Sequence, residues 1–157
     1  HHLTGVTSET GQRISRFTHN AQGKLIRNEL LGTPNEVTEI TYDSDTQSTV
    51  TTAEGAVQTY TIAPGLQRRV TSVATAGMGT SAHAYDTTSG LLTTVTDRNN
   101  VKTRYEYDPT HRDVVAIVEA DTTLQQRRIE YSRDPQTRLV TEQRVRDRAG
   151  ALVAKVG

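Results

Sequence analysis

Histidine and aspartate side chains are the groups of this 157-residue sequence whose types and spacing could do chemistry. His83 lies just before Asp86, and His111 lies between Asp108 and Asp113. A metal site needs three or four convergent ligands, which neither group supplies. The spacing therefore predicts no metal site, and it favours a packing position for His83 and a turn position for His111.

Two Asp-Pro steps, Asp108-Pro109 and Asp134-Pro135, could in principle supply a pair of carboxylates that share a proton and act as acid and base. They lie 26 residues apart. An aspartate that initiates a turn, with proline at the first central position, is the simpler interpretation.

Other catalytic patterns are missing from the sequence. It has no cysteine, which excludes a thiol nucleophile and a thiolate metal site. Ser-His-Asp order, a glycine-rich phosphate loop and a His-Glu-x-x-His segment are also absent. We therefore predict a protein that is not an enzyme, with no catalytic residues, no metal and no cofactor.

Arginines form two short groups, one at Arg127 and Arg128 and one at Arg144, Arg146 and Arg148. The formal net charge of the chain is zero, and no aromatic residues alternate with these arginines for base stacking. The second group has strand spacing and is typical of the solvated face of an edge strand. We predict no nucleic-acid partner.

A repeat organises the chain, and its best copy runs from Tyr85-Asp86 to Tyr107-Asp108. Two alternating runs and two turns fill about 22 residues. Equivalent aromatic or apolar positions recur at Phe17, Tyr42, Ile62, Tyr85, Tyr107 and Tyr131. A second column lies two residues upstream, at Ser15, Ile40, Tyr60, His83, Tyr105 and Ile129. A third apolar position follows each turn, at Leu25, Val50, Val70, Leu92, Val114 and Leu139.

Turn residues separate these runs, because glycine and asparagine tolerate positive φ. The predicted turn positions are Gly23, Gly55, Gly65, Gly90, Asn100 and Gly150. Apolar residues nowhere follow helical spacing, so the sequence predicts an all-β fold with almost no helix. Antiparallel hairpins fit the pattern, with strands predicted at 37–42, 57–62 and 124–131 and a turn at 32–35 among others. The 43 residues between Tyr42 and Tyr85 would also suit a four-stranded propeller blade.

The predicted organisation is a lead-in at residues 1–11, with a tag remnant at 1–2, and a single array of about six repeats at 12–157. A weak joint is expected near residues 76–79, where two glycines flank Met78. No apolar run reaches the ~20 residues that a membrane span needs, and no export signal is recognisable.

The pattern Y-D-x-x-x-G-x-L-x-x-V-T-D, closed by Y-x-Y-D, resembles the YD repeat of Rhs proteins, toxin-complex B/C subunits and teneurins. The resemblance covers roughly residues 13–150. It implies a spiralling antiparallel sheet of hairpins that forms part of a shell. It also implies a scaffold that encloses or presents a toxin or effector domain, in a secreted or cell-surface protein.

Several partners follow from the same resemblance. They are the flanking repeats of the same polypeptide, an enclosed C-terminal toxin domain, and secretion machinery or a chaperone. Rhs cores also carry Asp-Pro-x-Gly motifs for aspartyl self-cleavage, but neither Asp-Pro step here has that glycine. An alternative function is a cell-surface carbohydrate-binding or adhesion module that stacks glycans on the repeated tyrosines.

The tyrosine columns also lead to an expectation about stability. Only 33% of the residues are hydrophobic, so the large recurring side chains must supply much of the burial. Tyr107 is predicted to stack on Tyr85 and Tyr131 and to lose about 3 to 5 kcal/mol on truncation. Its neighbour Glu106 is expected to face solvent and to tolerate alanine within about 0.5 kcal/mol.

Overall fold

A computed structural model describes residues 1–32, 36–64 and 68–157. These residues form fourteen antiparallel β-strands and no helix, which confirms the all-β prediction. None of the described segments is therefore a helix that could cross a membrane. Contacts divide the chain into two compact units, His1–Thr80 and Ser81–Gly157.

The first unit is a meander in which each strand pairs with the next one in the chain. Its strands are β1 (Gly5–Thr7), β2 (Arg13–His19), β3 (Leu25–Leu30), β4 (Val37–Tyr42), β5 (Gln47–Thr51), β6 (Val57–Ile62) and β7 (Val70–Thr75). The short β1 lies within the predicted lead-in and pairs with β2. Alternation of threonine with valine, isoleucine or tyrosine explains these strands, because β-branched and aromatic residues fit a pleated surface.

The second unit repeats the meander. Its strands are β8 (Gly79–Tyr85), β9 (Leu92–Thr96), β10 (Lys102–Tyr107), β11 (Val114–Asp121), β12 (Arg127–Arg133), β13 (Val140–Asp147) and β14 (Leu152–Val156). A strand predicted to begin at Leu124 begins instead at Arg127. Ala120 and Thr122 adopt positive φ of 49° and 70°, and they open a wider turn that leaves Leu124 80% exposed.

The turns place most predicted turn residues in the left-handed region. Gly23, Gly55, Gly90, Asn100 and Gly150 have φ between 62° and 86°. Gly65 lies outside the described residues, and so do the predicted turn residues at 33–35.

At both ends of the array, the observed repeat positions differ from the equivalent positions predicted from the sequence. The turn that follows each even-numbered strand begins directly after His19, Tyr42, Ile62, Tyr85, Tyr107 and Arg133. His19 and Arg133 therefore take the place that the alignment gave to Phe17 and Tyr131. A bulge precedes His19 and Arg133, as it also precedes Ile62, Tyr85 and Tyr107, so the bulges mark equivalent positions of the repeat. Phe17 and Tyr131 lie two residues upstream, in register with the column of Tyr60 and Tyr105.

Strand register assigns two faces to the second unit. One face carries a row of apolar residues, from Tyr105 through Ile117 and Ile129 to Val145. The opposite face carries Arg104, Glu106, Arg128, Glu130 and Arg146. The two hydrophobic side chains that are fully enclosed among the described residues, Ala116 and Val118 at 1% exposure each, lie on this charged face.

Candidate functional site

An ion-paired arch spans β11 on the charged face of the second unit. Arg128 on β12 donates from Nη1 to Glu106 Oε1 at 2.8 Å and from Nη2 to Glu106 Oε2 at 2.6 Å. Glu106 lies on β10, so this two-pronged contact joins strands that are not themselves paired. The arch therefore ties three strands together above the sheet.

Small side chains on β11 make the arch possible. Glu106 lies opposite Ala116, and Arg128 lies opposite Val118. A short residue between two long ones leaves room for the long side chains to meet overhead. The arch in turn covers Ala116 and Val118, which explains why they are the most enclosed hydrophobic residues among those described.

The ion pairs continue on both sides of the arch. Arg104 contacts Glu106 and also donates to Asp121 Oδ2 at 3.1 Å. Glu130 accepts from Arg128 at 3.0 Å and from Arg146 at 2.9 Å. Four strands, β10 to β13, are thus linked by one network, which we call the charged arch: Arg104, Glu106, Asp121, Arg128, Glu130 and Arg146.

The pKa shifts of the arch residues agree with these hydrogen bonds. Hydrogen bonds from Arg128, and then from Arg104, lower the pKa of Glu106 to about 2 even though partial burial opposes this. Arg146 and Arg128 likewise lower the pKa of Glu130, and Glu106 raises the pKa of Arg128. The carboxylates of Glu106 and Glu130 are therefore ionised and engaged at neutral pH.

Tyrosine hydroxyls make a second recurring contact. Tyr107 donates to the Leu92 carbonyl at 2.7 Å, and Tyr42 donates to the Leu25 carbonyl at 3.0 Å. In both cases the last residue of an even-numbered strand bonds the first residue of the strand before it. The tyrosine ring thus fastens one hairpin to its predecessor by a hydrogen bond to the backbone.

Three turns of the second unit are built alike around an aspartate. Oδ1 of Asp86, Asp108 and Asp134 accepts backbone N–H groups two and three residues ahead, at 2.6 to 3.1 Å. These bonds lower the pKa of all three carboxyl groups. Both Asp-Pro steps are therefore turn anchors with ionised carboxylates. That state is the opposite of the shared proton that acid–base catalysis by such a pair would need.

A depression of about 620 Å³ lies between the first two of these turns. Tyr105, Tyr107, Asp86, Asp108 and Arg112 contribute to its lining. Oδ1 of Asp108 also contacts the His111 ring at 3.1 Å. The depression is the place where tyrosine rings and aspartate carboxylates of successive repeats come together.

The described histidine side chains do not come together in a common site. The buried Nδ1 of His83 has no hydrogen-bond partner within the described part of the chain, and His111 is exposed in its turn. His2 stacks on His19 with ring centroids 5.0 Å apart. Residues 1–32, 36–64 and 68–157 contain no cluster of histidine and acidic side chains able to hold a metal ion.

Two sequence-based expectations about charged residues were wrong. Glu106 is not a free surface residue but the central acceptor of the charged arch. Arg144 and Arg146 do not lie on an edge strand, because β13 pairs on both sides, and Arg148 lies in the turn that follows. The overlooked signal was the Arg-x-Glu spacing of Arg104 with Glu106, repeated at Arg128 with Glu130.

Tyr107 also makes a polar contact that the sequence did not predict. Among the described residues, the polar contact of its ring is the hydroxyl bond to Leu92 rather than a contact with Tyr131. Tyr107 and Tyr131 occupy different strand positions, since Tyr107 is the last residue of β10 and Tyr131 lies two residues before the end of β12.

Comparison with known proteins gives one family. The family model described as RHS Repeat matches residues 85–124, from the end of β8 through the turn after β11. No curated protein matches the chain. The matched stretch contains the repeat copy with both Tyr-Asp pairs, two of the three aspartate turns and half of the charged arch.

Proposed function

We propose that this chain, a YD-repeat fragment of the Rhs family by its match over residues 85–124, is a non-catalytic scaffold segment that encloses or presents an effector domain. RHS repeats are structural repeats, and they occur in secreted or cell-surface proteins. The proposal adds that the segment belongs to a larger exported protein and that the enclosed domain is a toxin.

The observation that carries the proposal is the use of chemically reactive side chains for structure. Asp108 and Asp134 anchor turns, Glu106 holds the charged arch, and Tyr107 bonds the backbone of the preceding hairpin. Groups that could do acid–base chemistry are ionised or bonded in place. A surface of this kind supports a mechanical role better than a catalytic one.

The proposed partners are the flanking repeats of the same polypeptide and a C-terminal toxin domain. Secretion machinery or a chaperone would act on the whole protein. Such a scaffold must keep its hairpins paired while the enclosed domain is held, and backbone hydrogen bonding along successive strands provides that continuity.

Limited proteolysis of the longer protein tests enclosure. The effector domain should resist protease when the repeat array is intact, and it should be digested when Val118→Asp places a charge beneath the arch. Ser132→Asp is the matched control, because Ser132 is exposed on the same charged face. Equal digestion of the domain in the wild type and in Val118→Asp would contradict enclosure.

A glycan-binding module is the second candidate, and the depression between the turns of Asp86 and Asp108 favours it. Sugars stack on aromatic rings and donate hydroxyl hydrogens to carboxylates, and Tyr105, Tyr107 and both aspartates line this space. A glycan array should then show binding that Tyr105→Ala abolishes. Retained binding in Tyr105→Ala, or no binding by the wild type, would reject this candidate and leave the scaffold.

A further inference from the structure

The face opposite the charged arch carries a continuous apolar row. Tyr105, Ile117, Ile129, Val145 and Ala154 lie directly across from one another on β10 to β14. Directly opposed residues of paired strands project from the same face. The row therefore crosses five strands without a charged residue.

The row belongs to a single layer: among the described strands of the second unit, close backbone contacts join only neighbours in the sheet. The charged face makes its own cover, since the arch encloses Ala116 and Val118. Ile117, Ile129 and Val145 lie on the other face and are half-buried.

We propose that this apolar face packs against the same face of a second copy of the chain, as two sheets stacked face to face. The low net charge of the apolar face is compatible with contact between two identical copies. The charged side chains nearest the row are Glu119 and Arg127, which are paired with each other, and Asp147, which lies opposite Arg127, so the face carries little net charge. The arch face carries arginines and carboxylates that are already paired, and burying it against a second copy would cost the desolvation of those ion pairs.

The size of the face is sufficient for a specific contact. Seven strands about 4.8 Å apart and about 20 Å long give a face of roughly 600 Å² per copy. Two copies would bury about 1,200 Å², which is the lower bound for a stable protein interface, and interdigitating side chains would add to it. Sheets packed in this way form the core of a β-sandwich.

Analytical ultracentrifugation of the 157-residue chain tests the proposal. The wild type should sediment as a dimer at micromolar concentration, and Ile129→Lys should weaken the dimer at least tenfold while the far-ultraviolet circular dichroism stays that of a β-protein. Ser132→Lys is the matched control, since it adds the same charge to the opposite face of the same strand. It should leave the dimer intact.

Footprinting with hydroxyl radicals gives a readout that needs no variant. As the wild-type concentration rises through the dimerisation range, the side chains of Tyr105, Ile117 and Ile129 should become protected, whereas exposed Leu124 should not. A wild type that stays monomeric would overturn the proposal. So would a dimer that survives Ile129→Lys but dissociates on Ala154→Pro, because that result would place the contact at the edge of β14.

Discussion

At the scale of single residues, Glu106 carries the largest electrostatic contribution that the sheet reveals. Lowering its pKa from 4.5 to about 2 corresponds to about 3 kcal/mol of favourable interaction. Its side chain is 30% exposed, so solvent screening reduces the expected contribution to about 2 kcal/mol. Glu106→Ala should therefore lower the free energy of unfolding by about 2 kcal/mol in urea denaturation.

Glu9→Ala is the control for that substitution, because Glu9 is exposed and lies outside the strands. It should change the free energy of unfolding by less than about 0.5 kcal/mol. Equal effects of the two substitutions would mean that the charged arch does not stabilise the sheet.

The lowered pKa of Glu106 also predicts how stability depends on pH. Because the pKa in the folded state lies below that in the unfolded state, ionisation of Glu106 stabilises the fold above about pH 4.5. This contribution is lost as the pH falls from about 4.5 to about 2. Thermal unfolding from pH 7 to pH 2 should show the loss as a falling melting temperature. In Glu106→Gln the melting temperature should fall less steeply between about pH 4.5 and pH 2. The same pH dependence in Glu106→Gln and in the wild type would show that Glu106 does not contribute to the loss of stability in acid.

The two tyrosines of β10 should differ in what their hydroxyls contribute. Tyr107 donates to the Leu92 carbonyl at 2.7 Å, whereas Tyr105 has no hydroxyl partner among the described residues. Tyr107→Phe should cost about 1 kcal/mol, and Tyr105→Phe should be close to neutral. Chemical denaturation of the two variants measures this difference, and a larger loss for Tyr105→Phe would refute it.

At the scale of elements, the stability of the aspartate turns should depend on the residue that adopts a left-handed conformation four positions after the aspartate. Gly90, Arg112 and Arg138 occupy the same place in their turns, with φ of 69°, 62° and 62°. A side chain in this region costs about 1 kcal/mol. Gly90→Ala should therefore destabilise the protein by about 1 kcal/mol, whereas Arg112→Gly should stabilise it by up to about 0.5 kcal/mol, both measured by thermal unfolding.

Arg138→Gly is the matched control, because Arg138 donates to Asp113 Oδ2 at 2.7 and 3.0 Å whereas Arg112 makes no such contact in the described chain. The gain from relieving backbone strain should be offset there by the lost ion pair. If Arg112→Gly were as unfavourable as Gly90→Ala, the left-handed position would not control the stability of these turns.

Local sequence signals predicted most of the elements. Alternation of threonine with apolar residues located β4 (Val37–Tyr42) and β6 (Val57–Ile62) at their observed bounds. The start of β12 was missed because Ala120 and Thr122 adopt positive φ, which neither residue type signals. The phase shift at Phe17 and Tyr131 was missed because the repeats were matched on their aromatic residues, whereas His19 and Arg133 occupy the last strand position in those two copies.

At the scale of the whole molecule, the contacts that matter join distant parts of the chain. Glu106 and Arg128 lie 22 residues apart and meet only because β11 places Ala116 and Val118 between them. A sequence pattern gives the face of each residue but not which charges meet across a third strand. The candidate site was therefore less predictable than the fold.

This arrangement also accounts for a sheet built with few apolar residues. The charged face is closed by ion pairs over small side chains, and the apolar face is the one that we propose to pack against a second copy. A scaffold of this kind depends on coupling between neighbouring hairpins rather than on an enclosed core.

A double-mutant cycle on Glu106 and Arg128 tests that coupling most directly. The free energies of unfolding of the wild type, Glu106→Ala, Arg128→Ala and the double variant give the interaction between the two side chains. We predict a coupling energy of about 1 to 2 kcal/mol, so that the double variant is little less stable than either single variant. Additive losses, within about 0.3 kcal/mol, would contradict the account, because the arch would then contribute nothing to holding β10 and β12 together over β11.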